Sequence, residues 1–173
     1  MKKLDENTRL LISEGVAALL GLLTFIFLFI PAYFESGKPD MSLFQIALGD
    51  ERIAASGALI FAFILVLIGL LTMISLVVLL AIKKSNPIIT TALSVTGAVL
   101  LLTGAIIMTC GIFISGLDKL NSSLGFTQGN WGIRPGNILV PIFALLSTAA
   151  SYPAGMIILH HMDLRDKERA KAN

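Results

Sequence analysis

Four long apolar stretches alternate with short polar ones along the chain. They cover residues 10–34, 53–82, 88–115 and 137–159. Each is long enough to cross a hydrocarbon core of about 30 Å as a helix rising about 1.5 Å per residue. None shows the two-residue alternation of a membrane β-strand. The pattern predicts an all-α integral membrane four-helix bundle, forming a single transmembrane domain with a polar tail over 160–173. The second and third stretches exceed the crossing length, so tilt or protrusion into the headgroups is expected.

Local signals mark the helix ends. Asp5, Asn7 or Thr8 suits the cap of the first span, and Pro31 lies near its far end. Lys83-Lys84-Ser85-Asn86-Pro87 reads as a compact turn, because Pro87 cannot continue one helix but suits the first turn of the next. Spans two and three should therefore form a tight antiparallel hairpin. Asn137 is the expected cap of the fourth span, with Pro141 in its first turn and Pro153 as a kink. In the loop over 35–52, Met41–Gly49 reads as a short interfacial helix or an extended segment across the bundle mouth. The loop over 116–136 is rich in glycine and reads as turns. Tyr33, Phe34, Phe126 and Trp131 are expected to form an outer aromatic belt.

Charge adds the orientation. The chain has 13 Lys and Arg, 11 Asp and Glu, and a formal charge of +2. Nine of the 13 cations lie in the N-terminal tail, the 82–88 turn and the C-terminal tail, and four lie in the two loops of about 20 residues. The positive-inside rule then puts both tails and the short turn in the cytoplasm. Lys2, Lys3 and Arg9 before a long apolar run read as an uncleaved signal anchor. This layout excludes a soluble enzyme, a nucleic-acid binder and a disulfide-stapled secreted domain. The expected location is the plasma membrane.

Glu14 is the one charge inside the four stretches. An acid in a span is costly and marks a candidate proton or cation site. It shares a helix face with Ala17, Ala18 and Gly21, which points it into the bundle. The alternative reading is structural: it lies four residues in from Leu10, close enough to the cytoplasmic interface to reach the headgroups, hold water or pair with Arg9, Lys83 or Lys84. The third span carries a seven-residue near-repeat, VTGAVLL, LTGAIIM, TCGIFIS, that stacks Gly97, Gly104 and Gly111 on one stripe. Such a strip lets another helix approach closely at a left-handed crossing. The fourth span offers a matching surface in Ser147, Ser151 and Gly155. These glycines form the expected packing seam. Thr96, Thr103, Ser147, Ser151 and Tyr152 form a candidate polar cluster at mid-depth.

No catalytic constellation, metal site or cofactor motif is read from the sequence. His160 and His161 are adjacent, so they point about 100° apart on a helix and do not make a ligand pair. Cys110 is the only cysteine. The expected partners are the lipid bilayer and other membrane proteins or further copies of the chain. The leading expectation is a non-enzymatic interaction, accessory or structural membrane component. The alternative is a small proton-coupled transporter or channel using Glu14 and the Ser/Thr/Tyr cluster.

Ile12-Ser13-Glu14-Gly15, a first-span acid followed by small residues, resembles the small multidrug-resistance exporters, which implies proton-coupled export. The chain departs from them in its long outer loops and in a glutamate nearer the membrane edge. The Phe-Ile-Pro close of span one (29–31), SLFQIALG (42–49), the Lys-rich turn and the Gly-rich third span resemble small, uncharacterised four-span membrane proteins of Gram-positive bacteria and their wall-less relatives. That likeness covers most of the chain and implies the layout but no activity.

Overall fold

A computed structural model describes residues 6–35, 39–49, 55–83, 86–114 and 131–151. Most of these residues are helical. Helix α1 spans Glu6–Phe27 and is followed by strand β1, Pro31–Glu35. Strand β2, Met41–Ser42, leads directly into helix α2, Leu43–Leu48. Helices α3, Gly57–Ala81, and α4, Pro87–Ile114, form the hairpin, and strand β3, Trp131–Ile133, precedes helix α5, Pro135–Ser151. Three helices are long and apolar enough to cross a membrane, over Thr8–Phe27, Gly57–Ala81 and Ile88–Cys110. The chain is an integral membrane protein on this basis. Over its described length α5 is a shorter apolar helix, and Tyr152–Leu159 of the expected fourth span lie outside the described residues.

The hairpin turn forms as its residues suggest. Lys83 takes a left-handed φ of 54° and ends α3. The Asn86 side chain then accepts from the Ile88 N–H at 3.0 Å, filling the cap position before Pro87. With this short connection α3 and α4 must lie side by side, and their contact is more extensive than that of either with α1 or α2. The glycine stripe is what brings them close. A Cβ on Gly104 would sit 2.6 Å from the Ala62 carbonyl oxygen, and one on Gly69 would sit 2.6 Å from the Leu101 nitrogen. At Gly97 the nearest atom would be Met73 Cγ at 2.9 Å. The seam therefore faces α3. The expected match to the fourth span is not what fills it.

Three local expectations are corrected. The first span does not continue to Phe34. Its helix stops at Phe27 because Pro31 disfavours helix before it and the aromatic residues beyond it pair as a strand. Asn137 is not a cap, since α5 begins at Pro135, where a missing N–H costs nothing. Trp131–Ile133 are not turns. They pair antiparallel with β1 in register Tyr33↔Ile133, Phe34↔Gly132 and Glu35↔Trp131. With β2 on the other edge the sheet order is β2-β1-β3, a small β element that the all-α expectation lacks.

This sheet and α2 cap the end of the bundle opposite the hairpin turn. Ser42 and Gln45 form a capping box: Ser42 N–H donates to Gln45 Oε1 at 2.9 Å, and Gln45 N–H donates to Ser42 Oγ at 3.2 Å. Leu43, Ile46 and Ala47 of α2 are buried, so the segment packs down on the bundle mouth. Phe44 reaches Phe29 of the α1–β1 link and Phe63 of α3, with ring centroids 4.6 and 5.3 Å away. Arg134 joins the two loops. It is paired with Asp40 at 3.1 Å, lies 4.3 Å over the Phe34 ring, and its N–H donates to the Ala32 carbonyl at 2.8 Å. Tyr33, expected in an aromatic belt, is buried at 6% exposure under this cap. Phe126 lies outside the described residues.

Candidate functional site

Helix α1 buries one stripe, Glu14, Ala17, Gly21 and Thr24, at the three- and four-residue spacing of a single helix face, and Leu28 just past its end continues it. Glu14 is thereby carried wholly into the bundle, with no exposed surface. Helix α4 buries Thr90, Ser94, Gly97, Leu101, Gly104 and Met108 along its own stripe, and α5 buries Val140, Ala144, Ser147 and Ser151. The three stripes converge on the carboxylate. Ser94 Oγ donates to Glu14 Oε1 at 2.7 Å, and Ser151 Oγ donates to Glu14 Oε2 at 3.2 Å.

Two further hydroxyls stitch α1 to α5. Ser147 Oγ donates to the Ala17 carbonyl at 2.7 Å and also lies 3.6 Å from Met73 Sδ. Ser13 Oγ donates to the Ala150 carbonyl. The α1/α5 contact thus holds Ser13, Glu14, Ser147 and Ser151 in one polar strip, with Ser94 reaching it from α4. Hydrogen bonds of this kind hold helices together in lipid, where apolar burial gives no net drive.

The candidate residues separate accordingly. Glu14, Ser147 and Ser151 come together. Thr96 and Thr103 do not join them. Both are exposed, because each precedes a seam glycine by one residue and is turned about 100° off the buried stripe. Gly97 and Gly104 line the contact with α3. Gly111 falls within α4, but its surroundings lie outside the described residues, as do Tyr152 and Gly155. Sequence reasoning missed Ser94, Ser13 and Gly69. Ser94 was within reach of it: three residues before Gly97, it extends the glycine stripe backward at helical spacing.

The arrangement offers one carboxylate, hydroxyl donors and backbone carbonyls. Among the described residues no group of three or more His, Cys, Asp or Glu could hold a metal ion. The hydroxyls at Glu14 donate to the acid itself, so the group forms a polar joint that ties α4 and α5 to α1. At the capped end two buried polar atoms, Tyr33 Oη and Asn137 Oδ1, have no hydrogen-bond partner among the described residues. Burial, with a smaller contribution from Cys110, pushes the Tyr33 hydroxyl well above its ordinary range.

Comparison of the chain with protein-family models, curated proteins and solved structures gives no match.

Proposed function

We propose that the protein is a non-enzymatic multi-pass component of the plasma membrane that acts on neighbouring membrane proteins or lipids through its capped face. On this reading it crosses the bilayer four times, the fourth span running from α5 toward Leu159, with both ends of this sequence in the cytoplasm. The apolar continuation of α5 through residue 159 and the nine-to-four division of cations support that topology. One observation carries the functional reading. The bundle's buried hydroxyls and its acid are bonded to one another across helices, while the outer segments are knit into a folded cap by β1, α2 and Arg134.

The test places a photo-crosslinker at Ile133 or Leu48, both exposed on the cap, in native membranes. A discrete protein or lipid adduct that recurs at these positions and is absent from lipid-facing Leu145 is expected. Equal adducts at all three positions would refute the reading. In liposomes the purified protein is expected to carry no proton flux. A flux abolished by Glu14→Gln would instead establish the small-transporter alternative. Cysteine labelling at Ser85 and Ser122 in a Cys110→Ala background checks orientation. A membrane-impermeant reagent should reach Ser122 from outside and Ser85 only from inside.

A further inference from the structure

Among the described residues, Glu14 is a charge carried into the bundle without a matching charge beside it. An ionised carboxylate offers about four acceptor positions. The Ser94 and Ser151 hydroxyls occupy two of them, and no described residue forms an ion pair with Glu14. Over their described lengths α3, α4 and α5 contain no Lys, Arg, His, Asp or Glu, and Cys110 is the only titratable group on them. Cys110 lies sixteen residues beyond Ser94, about 24 Å along α4. On α1, Arg9 is five residues before Glu14 and so about 140° round the helix, and Glu6 is two turns away. Lys83 is exposed in the hairpin turn.

Removing an unpaired carboxylate from water costs several kcal/mol even after the surroundings relax. Two hydroxyl donors offset only part of that. A small cation bound with the acid removes the net charge. The donor set is one carboxylate and two hydroxyls, hard oxygens with a single negative charge. That matches a monovalent cation and falls short of what a divalent or transition metal uses. A proton would bond to either carboxylate oxygen, with the facing serine turning from donor to acceptor. A sodium ion would use the carboxylate and hydroxyl oxygens together.

Depth gives the route. Glu14 lies six residues into the apolar part of α1, which begins at Thr8, or about 9 Å. Ser94 lies seven residues beyond Pro87, about 10 Å into α4 from the same end. The opposite end is filled by Leu28, Ala32, Tyr33, Leu43 and Ile46 beneath the cap. We propose that Glu14, Ser94 and Ser151 form an exchangeable site for a small monovalent cation, a proton or a sodium ion, entered from the end at which α1 begins. The site is independent of the cap's role: a protein that transports nothing still binds the ion.

The test is the thermal unfolding midpoint of the purified protein in mild detergent. Sodium is varied against choline at constant ionic strength and pH, and then pH is varied without sodium. A ligand bound only by the folded state stabilises it further with every tenfold rise above its dissociation constant. The wild-type midpoint is expected to rise with cation concentration, and Glu14→Gln, of nearly the same shape, to lose that dependence. A response to sodium at fixed pH names sodium, and a response to pH alone names the proton. Ser94→Ala and Ser151→Ala keep the acid. For sodium they remove a ligand oxygen and are expected to raise the half-effective concentration about tenfold or more; for the proton they remove a donor to the ionised acid and are expected to lower it by a similar factor. They decide the matter if Glu14→Gln does not fold. A wild-type midpoint indifferent to both cations, or variants that track the wild type, would overturn the site.

Discussion

The closeness of α3 and α4 can be tested by adding one methyl group at a time. At Gly104 a Cβ would lie 2.6 Å from Ala62 O, and 2.8 Å from both Val66 N and Val66 Cγ2. Two of these are backbone atoms that cannot rotate away. Reaching an ordinary contact of 3.4 Å requires the helices to part by about 0.8 Å. A gap of that size forfeits roughly a quarter to a half of each facing dispersion contact, and overpacking of this kind costs about 1–3 kcal/mol. Alanine's better helix propensity returns about 1 kcal/mol. Gly104→Ala and Gly69→Ala should therefore lose about 1–2 kcal/mol. At Gly97 the nearest atom belongs to the Met73 side chain, which can shift, so Gly97→Ala should be near neutral. At Gly15 nothing lies within 4 Å, and Gly15→Ala should gain up to about 1 kcal/mol. Reversible unfolding in mixed micelles, or steric trapping in bicelles, measures all four. The order of effects is the test. If Gly104→Ala proves as stable as Gly15→Ala, the backbones are not in contact and the seam faces something other than α3.

The cap gives two further predictions. Tyr33→Phe removes a buried hydroxyl that has no partner among the described residues, so it should stabilise the protein by about 1 kcal/mol; destabilisation would mean that the hydroxyl is bonded. Since burial raises the Tyr33 group, its titration leaves stability unchanged below the ordinary tyrosine range near pH 10 and draws it down as pH rises beyond, where the unfolded chain ionises first. The alkaline limb of unfolding should accordingly soften in the phenylalanine variant. Arg134→Ala breaks a half-exposed ion pair and a cation–π contact, together worth about 1 kcal/mol or less. The loss should be local: hydrogen exchange should quicken at the β1 and β3 amides and not in α3 or α4, and uniform loosening would contradict a separable cap.

The elements legible in the sequence are those fixed by local chemistry. The hairpin turn is one, because Asn86 and Pro87 permit little else. The α1 face at Glu14, Ala17 and Gly21 is another, since a helix spacing suffices to collect it. What was not legible depends on which surfaces meet. Likeness of small residues points the seam glycines at the fourth span, yet the short turn forces α3 against them. Gly69 stands alone among bulky residues and gives no repeat to notice. The residues 131–133 look like turn on their glycine and its neighbours, and become a strand because β1 presents an unpaired edge beside them.

The small residues of the bundle divide by what the missing side chain allows. Gly69, Gly97 and Gly104 have no Cβ, so α3 and α4 meet backbone to backbone and leave no room for anything between them. Ser13, Ser94, Ser147 and Ser151 are nearly as small but carry a donor, so they face groups that need one: the Ala150 and Ala17 carbonyls and the Glu14 carboxylate. Thr96 and Thr103 carry the same donor and reach none of these, because one residue's turn of the helix takes them off the buried face. Hydroxyls within a span therefore do not mark a site by their number. They mark it where two helix faces place them against an acid, and Ser94 and Ser151 meet that condition at Glu14.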